Sequence, residues 1–271
     1  MKIHKLLVPV FSIFLFTACS SDDDNDSPGG GNGGGGGANG SLQITLEDAR
    51  KHRVLKTVSY TYSGKDIGTL VNPGAAGKGV TWDFSGIDLN KYSYYSRWER
   101  EGRVENYSTS KYKDYFPDAT ECYVTTELTT TPSALIQSVS SDLYKYLKGN
   151  VDYGSVQSVH VAENSDIVSI ANYEPGVTEP YPLYLGVKYT INAKGTNLSN
   201  GSVYSFDHIN DIEIDGEGTL ILPNGKIFTD VLRRKNKIAD NAAQYTYISK
   251  QSGEVLTLIE GDFIRFTDEW L

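Results

Sequence analysis

The sequence predicts an all-β fold, an antiparallel meander that forms a β-sandwich or a half-open barrel and contains little helix. The first observation is composition, because 19 tyrosines and many Val, Ile and Thr residues are side chains that strands favour. The second is that turn signals of Gly, Asn and Pro separate short apolar runs throughout the chain. The third is that the sequence lacks the strand–helix alternation that builds parallel sheets.

Residues 1–18 have the form of a signal peptide. Lys2 and Lys5 precede an apolar run over residues 6–16, which is too short to span a bilayer as a mature helix. The small residue and the cysteine that follow resemble the bacterial lipobox. That resemblance implies that the thiol of Cys19 carries fatty acyl chains such as palmitate, and that the mature protein begins at Cys19 and is held in a membrane.

The lipobox match has one departure, because Phe16 rather than Leu stands three residues before Cys19. Two alternatives stay open. The general signal peptidase could cleave after Ala18 and leave Cys19 as a free thiol, or the apolar run could be retained as an anchor.

Residues 19–40 are predicted to form a disordered tether. They hold aspartates and a glycine tract, and no large hydrophobic side chain offsets the entropy cost of ordering them. A Gly-rich coil of this length has a mean reach of about 25 Å. The acidic run Asp22–Asp24 resembles the export signal of Bacteroidota surface lipoproteins, which implies an outer-membrane lipoprotein facing the cell exterior. The alternative is a solvated, charge-repelled spacer.

Charge and cysteine content limit the function of the remaining residues, 41–271, which we predict to be one β-rich domain with a bend near residues 175–182. The formal net charge is −9, and removal of the two signal lysines makes it more negative. Nucleic acid and anionic lipid faces are therefore disfavoured as partners. Cys122 is the only cysteine besides Cys19, and with Cys19 lipidated no intrachain disulfide can form. We expect Cys122 to be a small buried hydrophobe rather than a nucleophile.

Most of the N-terminal half is predicted to form strands. One short helix is expected over Glu47–Leu55 because apolar positions there recur every four residues. The glycine-rich segment 72–79 lacks the spacing of a phosphate-binding loop and is expected to be a flexible loop. Residues 133–147 suit a helix or two strands, and we favour strands. The further expectations are a strand at 54–62, a strand at 92–99, a turn at Glu101–Gly102 and a partner strand at 103–108.

The C-terminal half has clearer hairpin signals. Its acidic run from Asp211 matches the opening of an EF-hand loop, but position twelve would be Leu222 instead of a glutamate, so the calcium cage cannot close. We therefore predict a strand there with one solvated and one buried face. The expected elements are strands at 186–198, 202–208, 212–222, 227–234, 243–249 and 255–266, with turns at Asn200–Gly201, Pro223–Lys226 and Gln251–Gly253.

An aromatic row is the candidate ligand-binding feature. Tyr92, Tyr94 and Trp98 alternate with other residues of a predicted strand, which would place them on one face. Exposed aromatic rows stack on sugar rings, so a glycan ligand is conceivable. A large β-sheet core also needs alternating aromatics, and we favour that packing role.

The sequence carries no catalytic or metal-binding signature. His52, His160 and His208 are scattered without HxH or HExxH spacing, so we expect neither a zinc site nor a cofactor. A surface hydrolase acting on polysaccharide would need two carboxylates facing each other across a cleft. A carrier of a hydrophobic ligand would need a deep apolar cavity.

Four segments recur in order in an uncharacterised family of secreted and surface Bacteroidota proteins, which this chain resembles. The segments are Gly77–Ser85, Phe116–Ala119, Tyr181–Gly186 and Gly216–Gly225. The resemblance implies an antiparallel β-domain at the cell surface and brings no known activity. The sequence therefore predicts a lipid-anchored surface protein that binds a glycan or protein ligand or has a structural role, with a hydrolase or a carrier as the alternatives.

Overall fold

The structure is a computed structural model that describes residues 41–63, 71–131, 138–162, 165–199, 202–239, 242–259 and 263–270. The predicted signal peptide, Cys19 and the tether lie outside these ranges, as do the expected turn at Asn200–Gly201 and the first part of 133–147. Within the described ranges, none of the helices has the length and hydropathy needed to cross a membrane.

The all-β prediction is confirmed, since strands make up 68% and helices 8% of the structure. The helix α1 (Leu46–His52) confirms the one predicted helix, and three short 3-10 helices occupy Leu89–Lys91, Tyr107–Thr109 and Lys113–Tyr115. The strands are β1 (Lys56–Ser63), β2 (Gly77–Asp83), β3 (Ser93–Glu105), β4 (Glu121–Thr130), β5 (Ser138–Lys148), β6 (Val151–Ala162), β7 (Ser165–Thr178), β8 (Lys188–Ser199), β9 (Ser202–Ile221), β10 (Ile227–Ala239), β11 (Ala242–Ser249), β12 (Gly253–Ile259) and β13 (Phe263–Trp270).

Twelve of these strands close into an antiparallel barrel. Around the ring the order is β10-β11-β12-β13-β1-β3-β4-β5-β6-β7-β8-β9, and β9 pairs with β10 to complete it. The barrel is thus closed, where the sequence left open a sandwich or a half-open barrel. Closure pairs every edge in the ring and removes the exposed edges that an open sheet would present.

Strand β2 is the exception to the antiparallel pattern. It lies outside the ring and pairs in parallel with the end of β9, Gly77 opposite Gly216. The sequence predicts a flexible loop over 72–79, and this is wrong for its last residues. A glycine allows β2 to approach β9 closely, because a Cβ on Gly218 would lie 1.9 Å from the carbonyl oxygen of Val80.

Gly102 is a glycine that the sequence prediction assigns wrongly to a turn. The expected turn at Glu101–Gly102 does not exist, because β3 continues through it and pairs with both β1 and β4. A Cβ on Gly102 would lie 2.0 Å from the carbonyl oxygen of Arg53, and the Gly102 amide donates to Leu55. The glycine therefore lets the chain between α1 and β1 pass directly over the strand.

The C-terminal strands begin and end at different residues from those predicted. Residues expected as two strands form the single 20-residue β9, while the expected strand 255–266 is divided between β12 and β13. The predicted turn at Pro223–Lys226 is confirmed by the Leu222 amide donating to Lys226. Along β9, exposed Asp211 alternates with buried Ile212 and Ile214, as the sequence predicts.

Two segments cover the outer wall of the barrel. Residues 71–92 pack over β9–β13, with Trp82 and Phe84 in a cluster that includes Tyr247. Residues 107–119 pack over β4–β7 around Tyr146. Cys122 lies in that second cluster and is fully buried, which confirms its predicted packing role. Burial raises the pKa of its thiol to about 11.

The width of the barrel determines what fills it. Twelve strands spaced about 4.8 Å apart and tilted about 40° give a round barrel with a backbone diameter of about 24 Å. Eight-stranded barrels are just wide enough for side chains to fill, whereas barrels of 16 strands enclose a channel. A 12-stranded barrel lies between these cases. Its interior, which we call the lumen, therefore needs long side chains, a plug or a ligand to occupy it.

Candidate functional site

The segment before β1 forms a plug across one end of the barrel. Its helix begins with a capping box, in which the Thr45 side chain accepts from the Asp48 amide and the Asp48 carboxylate accepts from the Thr45 amide. A helix of seven residues is marginal alone, so contacts with the barrel must stabilise it. We call residues 41–53 the plug segment.

Three contacts attach the plug segment to different points of the rim. Ile44 exchanges two backbone hydrogen bonds of 2.9 and 2.8 Å with Leu183 in the β7–β8 connection. Arg50 makes a two-point ion pair with Glu121 at the start of β4, with distances of 2.6 and 3.2 Å. His52 donates its Nε2–H to the carbonyl oxygen of Lys250, 2.8 Å away, after β11. The segment therefore lies across the rim.

A cavity of about 430 Å3 extends from the plug into the lumen. Pockets for small molecules have volumes of roughly 300–1,000 Å3. The charged side chains that line it are Arg53, Arg100, Glu127, Lys145, Asp152, Glu179, Arg234, Glu254 and Arg265. Inward residues alternate with outward ones along each strand. Thr125 and Glu127 of β4 therefore line the cavity, while Val124 packs on the outside under residues 107–119.

Part of the cavity lining is apolar. Ile44 and Leu183 pack with the lumen residues Leu232 and Ile248 in one buried cluster. Ile44, Leu183 and Ile248 also line the cavity, and Ile248 stands opposite Glu254 in the strand register, so apolar and charged side chains lie next to one another. A molecule with a polar edge and a less polar ring face would match this mixed lining.

Ion pairs connect most of the charged groups. Arg234 lies 3.0 Å from Glu254 and 3.5 Å from Glu179. Arg100 lies 2.7 Å from Glu127, and a further pair joins Lys145 to Asp152 at 2.8 Å. Glu254 has 47% of its side chain accessible, although Arg234 and the strand wall surround it. The accessible surface therefore faces the cavity, where it could contact a bound molecule.

The environment shifts the ionisation of Glu254 and Arg265. Burial would raise the pKa of Glu254, but the charges of Arg234 and Arg265 outweigh it and hold the pKa below its ordinary value. Burial, and then the nearby charge of Arg100, lower the pKa of Arg265 to about 10. Glu254 and Arg265 are therefore both charged at neutral pH.

The aromatic residues singled out in the sequence are not all in one place. Tyr92 packs against the outer cluster under residues 71–92. Trp98 is half-buried, and its indole donates to Ser96 across 2.6 Å while the Arg100 guanidinium lies 5.6 Å from its ring. A bulge interrupts the alternation, because the register opposes Tyr94 to Tyr62 but Trp98 to Ser59. The side chain of Tyr94 lies outside the described part, so the row stays a prediction.

The other candidate groups have structural partners. His160 lies between Asp166 and Asp142, at 2.9 and 3.5 Å, and His208 stacks on Phe206. Across the described residues, no group of three or more His, Cys, Asp or Glu side chains could hold a metal ion.

Comparison with known proteins adds no assignment. No family model, curated protein or solved structure matches this chain. What the site can do must therefore be argued from its own residues.

Sequence reasoning missed the charged lumen. Arg100, Glu127 and Arg234 are charged residues within strands that line the cavity; Glu127 is itself buried, and Arg234 faces the same way as buried Leu232 and Asn236. That local signal is detectable, because a charge at an inward position of a strand is costly without a partner. The partners could not be found, since they lie on other strands far along the chain.

Proposed function

We propose that this chain is a lipid-anchored cell-surface protein whose barrel lumen binds a small polar molecule. The observation that carries the proposal is the cavity of about 430 Å3 with many charged side chains in its lining. A lumen needed only for stability could be filled with apolar side chains, which is often no less stable than buried ion pairs. A sugar falls within the proposed ligand class, in line with the glycan ligand expected from the sequence.

The lumen chemistry argues against the two other classes. A carrier of a hydrophobic ligand needs an apolar cavity, whereas nine charged side chains line this one. A glycoside hydrolase needs a carboxylic acid whose pKa is raised so that it can donate a proton. The pKa of Glu254 is shifted in the opposite direction, and Glu127 is paired with Arg100.

The anchor part of the proposal rests on Cys19 and the acidic run after it. Two or more acyl chains hold a protein stably at a membrane, since each buried methylene contributes about 0.8 kcal/mol. Intact-mass measurement of the native protein should give an N-terminus at Cys19 with added acyl mass. Cys19→Ser should move the protein to the soluble fraction. Retention of this variant on membranes after a high-salt wash would contradict the anchor.

Protease treatment of intact cells tests surface exposure. The proposal predicts loss of the domain from intact cells. Survival on intact cells followed by loss after lysis would place the protein on the periplasmic side, with the anchor unaffected.

Native mass spectrometry of the protein purified from its own membranes tests the lumen. The proposal predicts a bound small molecule on the wild-type protein. Thr125→Phe adds a ring inside the cavity and should remove the adduct. Leu128→Phe is the matched control, because Leu128 lies on the same strand and is 38% exposed. An adduct that survives Thr125→Phe would place the ligand elsewhere.

A further inference from the structure

The balance of charge in the cavity differs from that of the whole protein. The chain carries a net charge of −9, yet among the described residues five cationic side chains and four carboxylates line the cavity. The cavity therefore has a small excess of positive charge inside an acidic protein. The negative charge of the protein as a whole would repel an anion, whereas the cationic side chains of the cavity would attract it.

Arg53 provides the surplus charge. It caps the C-terminal end of α1, and its guanidinium stacks over the ring of Tyr123 at 5.2 Å. Its Nη1 atom is buried without a hydrogen-bond partner, and among the described residues no carboxylate lies within ion-pair distance of it. A buried donor without a partner destabilises the fold, and a bound acceptor would offset that cost.

Two deeper arginines are also incompletely satisfied. Arg100 lies 2.7 Å from Glu127 through its Nε atom, but that N–H is not aligned for a hydrogen bond. Among the described residues, the ion-pair partner of Arg265 is Glu254, at 4.0 Å, and Arg234 makes the shorter contact with that carboxylate. Buried donors without a hydrogen bond thus occur at two levels, on Arg53 at the plug and on Arg100 deeper in the lumen.

The positions of these groups are linked by the strand register. Arg100 and Gly102 occupy the same face of β3, and the backbone of Arg53 lies against Gly102. Arg100 pairs with Glu127 and Gly102 pairs with Thr125 on β4, and both partners line the cavity. Arg53, the last residue of the plug segment, therefore lies on the same wall of the cavity as Arg100, one pair of strand residues closer to the rim.

We infer that the lumen ligand is a small organic anion, a carboxylate or a phosphate ester, bound by Arg53 at the plug and by Arg100 and Arg265 below it. This rests on the proposed binding function of the lumen. Guanidinium groups bind both anions through paired, charge-assisted hydrogen bonds. The apolar side chains of Leu183 and Ile248 would contact the uncharged part of the same molecule.

Calorimetric titration with three probes that share one pyranose ring tests the inference. Glucuronate carries a carboxylate, glucose 6-phosphate carries a phosphate, and glucose carries neither. The full-length protein, solubilised in detergent, should bind at least one anionic probe at least about tenfold more tightly than glucose. Arg53→Gln should weaken that binding by at least about tenfold.

Lys51→Gln is the matched control, since it removes one positive charge from the same helix at a side chain that is 66% exposed. It should leave the affinity unchanged. Equal weakening by Lys51→Gln and Arg53→Gln would reduce the effect to long-range charge and overturn the assignment of Arg53. If Arg53→Gln leaves the binding of both anions intact, the assignment of Arg53 is overturned as well.

The failures of the two proposals are distinguishable. Glucose binding as tightly as both anions, or a neutral molecule found on the native protein, would overturn the anionic ligand while the lumen remained a binding site. A native protein without an adduct that also binds none of the three probes would overturn both.

Discussion

Arg233 should contribute more to stability than any surface charge of this protein. Its side chain is 2% exposed and Asp215 is 10% exposed, and the two make paired hydrogen bonds of 2.7 and 2.9 Å. Arg233 also donates to the carbonyl oxygens of Pro73 and Gly74, at 2.6 and 2.9 Å. These bonds attach the outer cover, residues 71–92, to the barrel wall.

Arg233→Met keeps most of the side-chain volume but leaves the Asp215 carboxylate buried and unpaired. Breaking a buried ion pair in this way costs about 3–5 kcal/mol, which corresponds to a fall in Tm of roughly 10 °C for a domain of this size. Urea unfolding followed by tryptophan fluorescence measures the loss, and it also reports on the cover, because Trp82 stacks on Arg233 at 5.4 Å.

Two further variants separate the ion pair from packing. Arg233→Met combined with Asp215→Leu replaces both partners with apolar groups and should recover most of the lost stability. Arg103→Met removes a half-exposed arginine that lies 3.9 Å from Glu105 and should cost less than about 1 kcal/mol. A cost for Arg233→Met as small as that for Arg103→Met would refute the reasoning.

Three further predictions concern the plug, a histidine and the buried thiol. Gly102→Ala should cost about 1–3 kcal/mol by displacing the Arg53 backbone, while Gly86→Ala, with open space around it, should be neutral in the same urea titration. Hydrogen bonding to Asp166, with its charge, raises the pKa of His160 above 6.5. The resulting stabilisation, less than about 1 kcal/mol at this exposed site, should be present below about pH 6.5 and lost as the pH rises through the raised pKa; a His160→Gln variant with the same pH dependence as wild type would contradict this. Because burial raises the pKa of Cys122 to about 11, the thiol should react with a disulfide reagent only after unfolding, and rapid reaction of the folded protein would contradict its burial.

Local patterns predicted the strands well where each depends on its own residues. Alternation of Asp211, Ile212 and Ile214 gave the two faces of β9, and Pro223–Lys226 gave the turn that follows. The same logic gave the helix, because the repeat of apolar positions and the Thr45–Asp48 box are both local.

Glycines caused the main errors. A glycine is read as a turn or loop because of its conformational freedom, yet Gly102 lies inside β3 and the glycine-rich segment 77–79 begins β2. Gly102 is required because the backbone of Arg53 passes within a distance that a Cβ would block, and β2 approaches Gly218 in the same way. The passing segments, residues 53–55 and β2, lie far along the chain, so a local pattern could not indicate the contact.

Barrel closure and the cavity charges were also beyond local reasoning. Closure depends on β9 pairing with β8 in its first half and with β10 in its second half, a change of partner that leaves no mark on hydrophobic alternation. The aromatic row of β3 was predicted from strict alternation, and local reasoning could not foresee the register shift between Tyr94 and Ser96; the row itself stays a prediction.

A crystal structure of the protein soaked with glucuronate or glucose 6-phosphate tests the central claim most directly. We expect an organic anion inside the barrel, with its carboxylate or phosphate oxygens within hydrogen-bond distance of Arg53 and its ring against Leu183 and Ile248. Anions bound only on the outer wall, with ordered water alone beside Arg53, would contradict it.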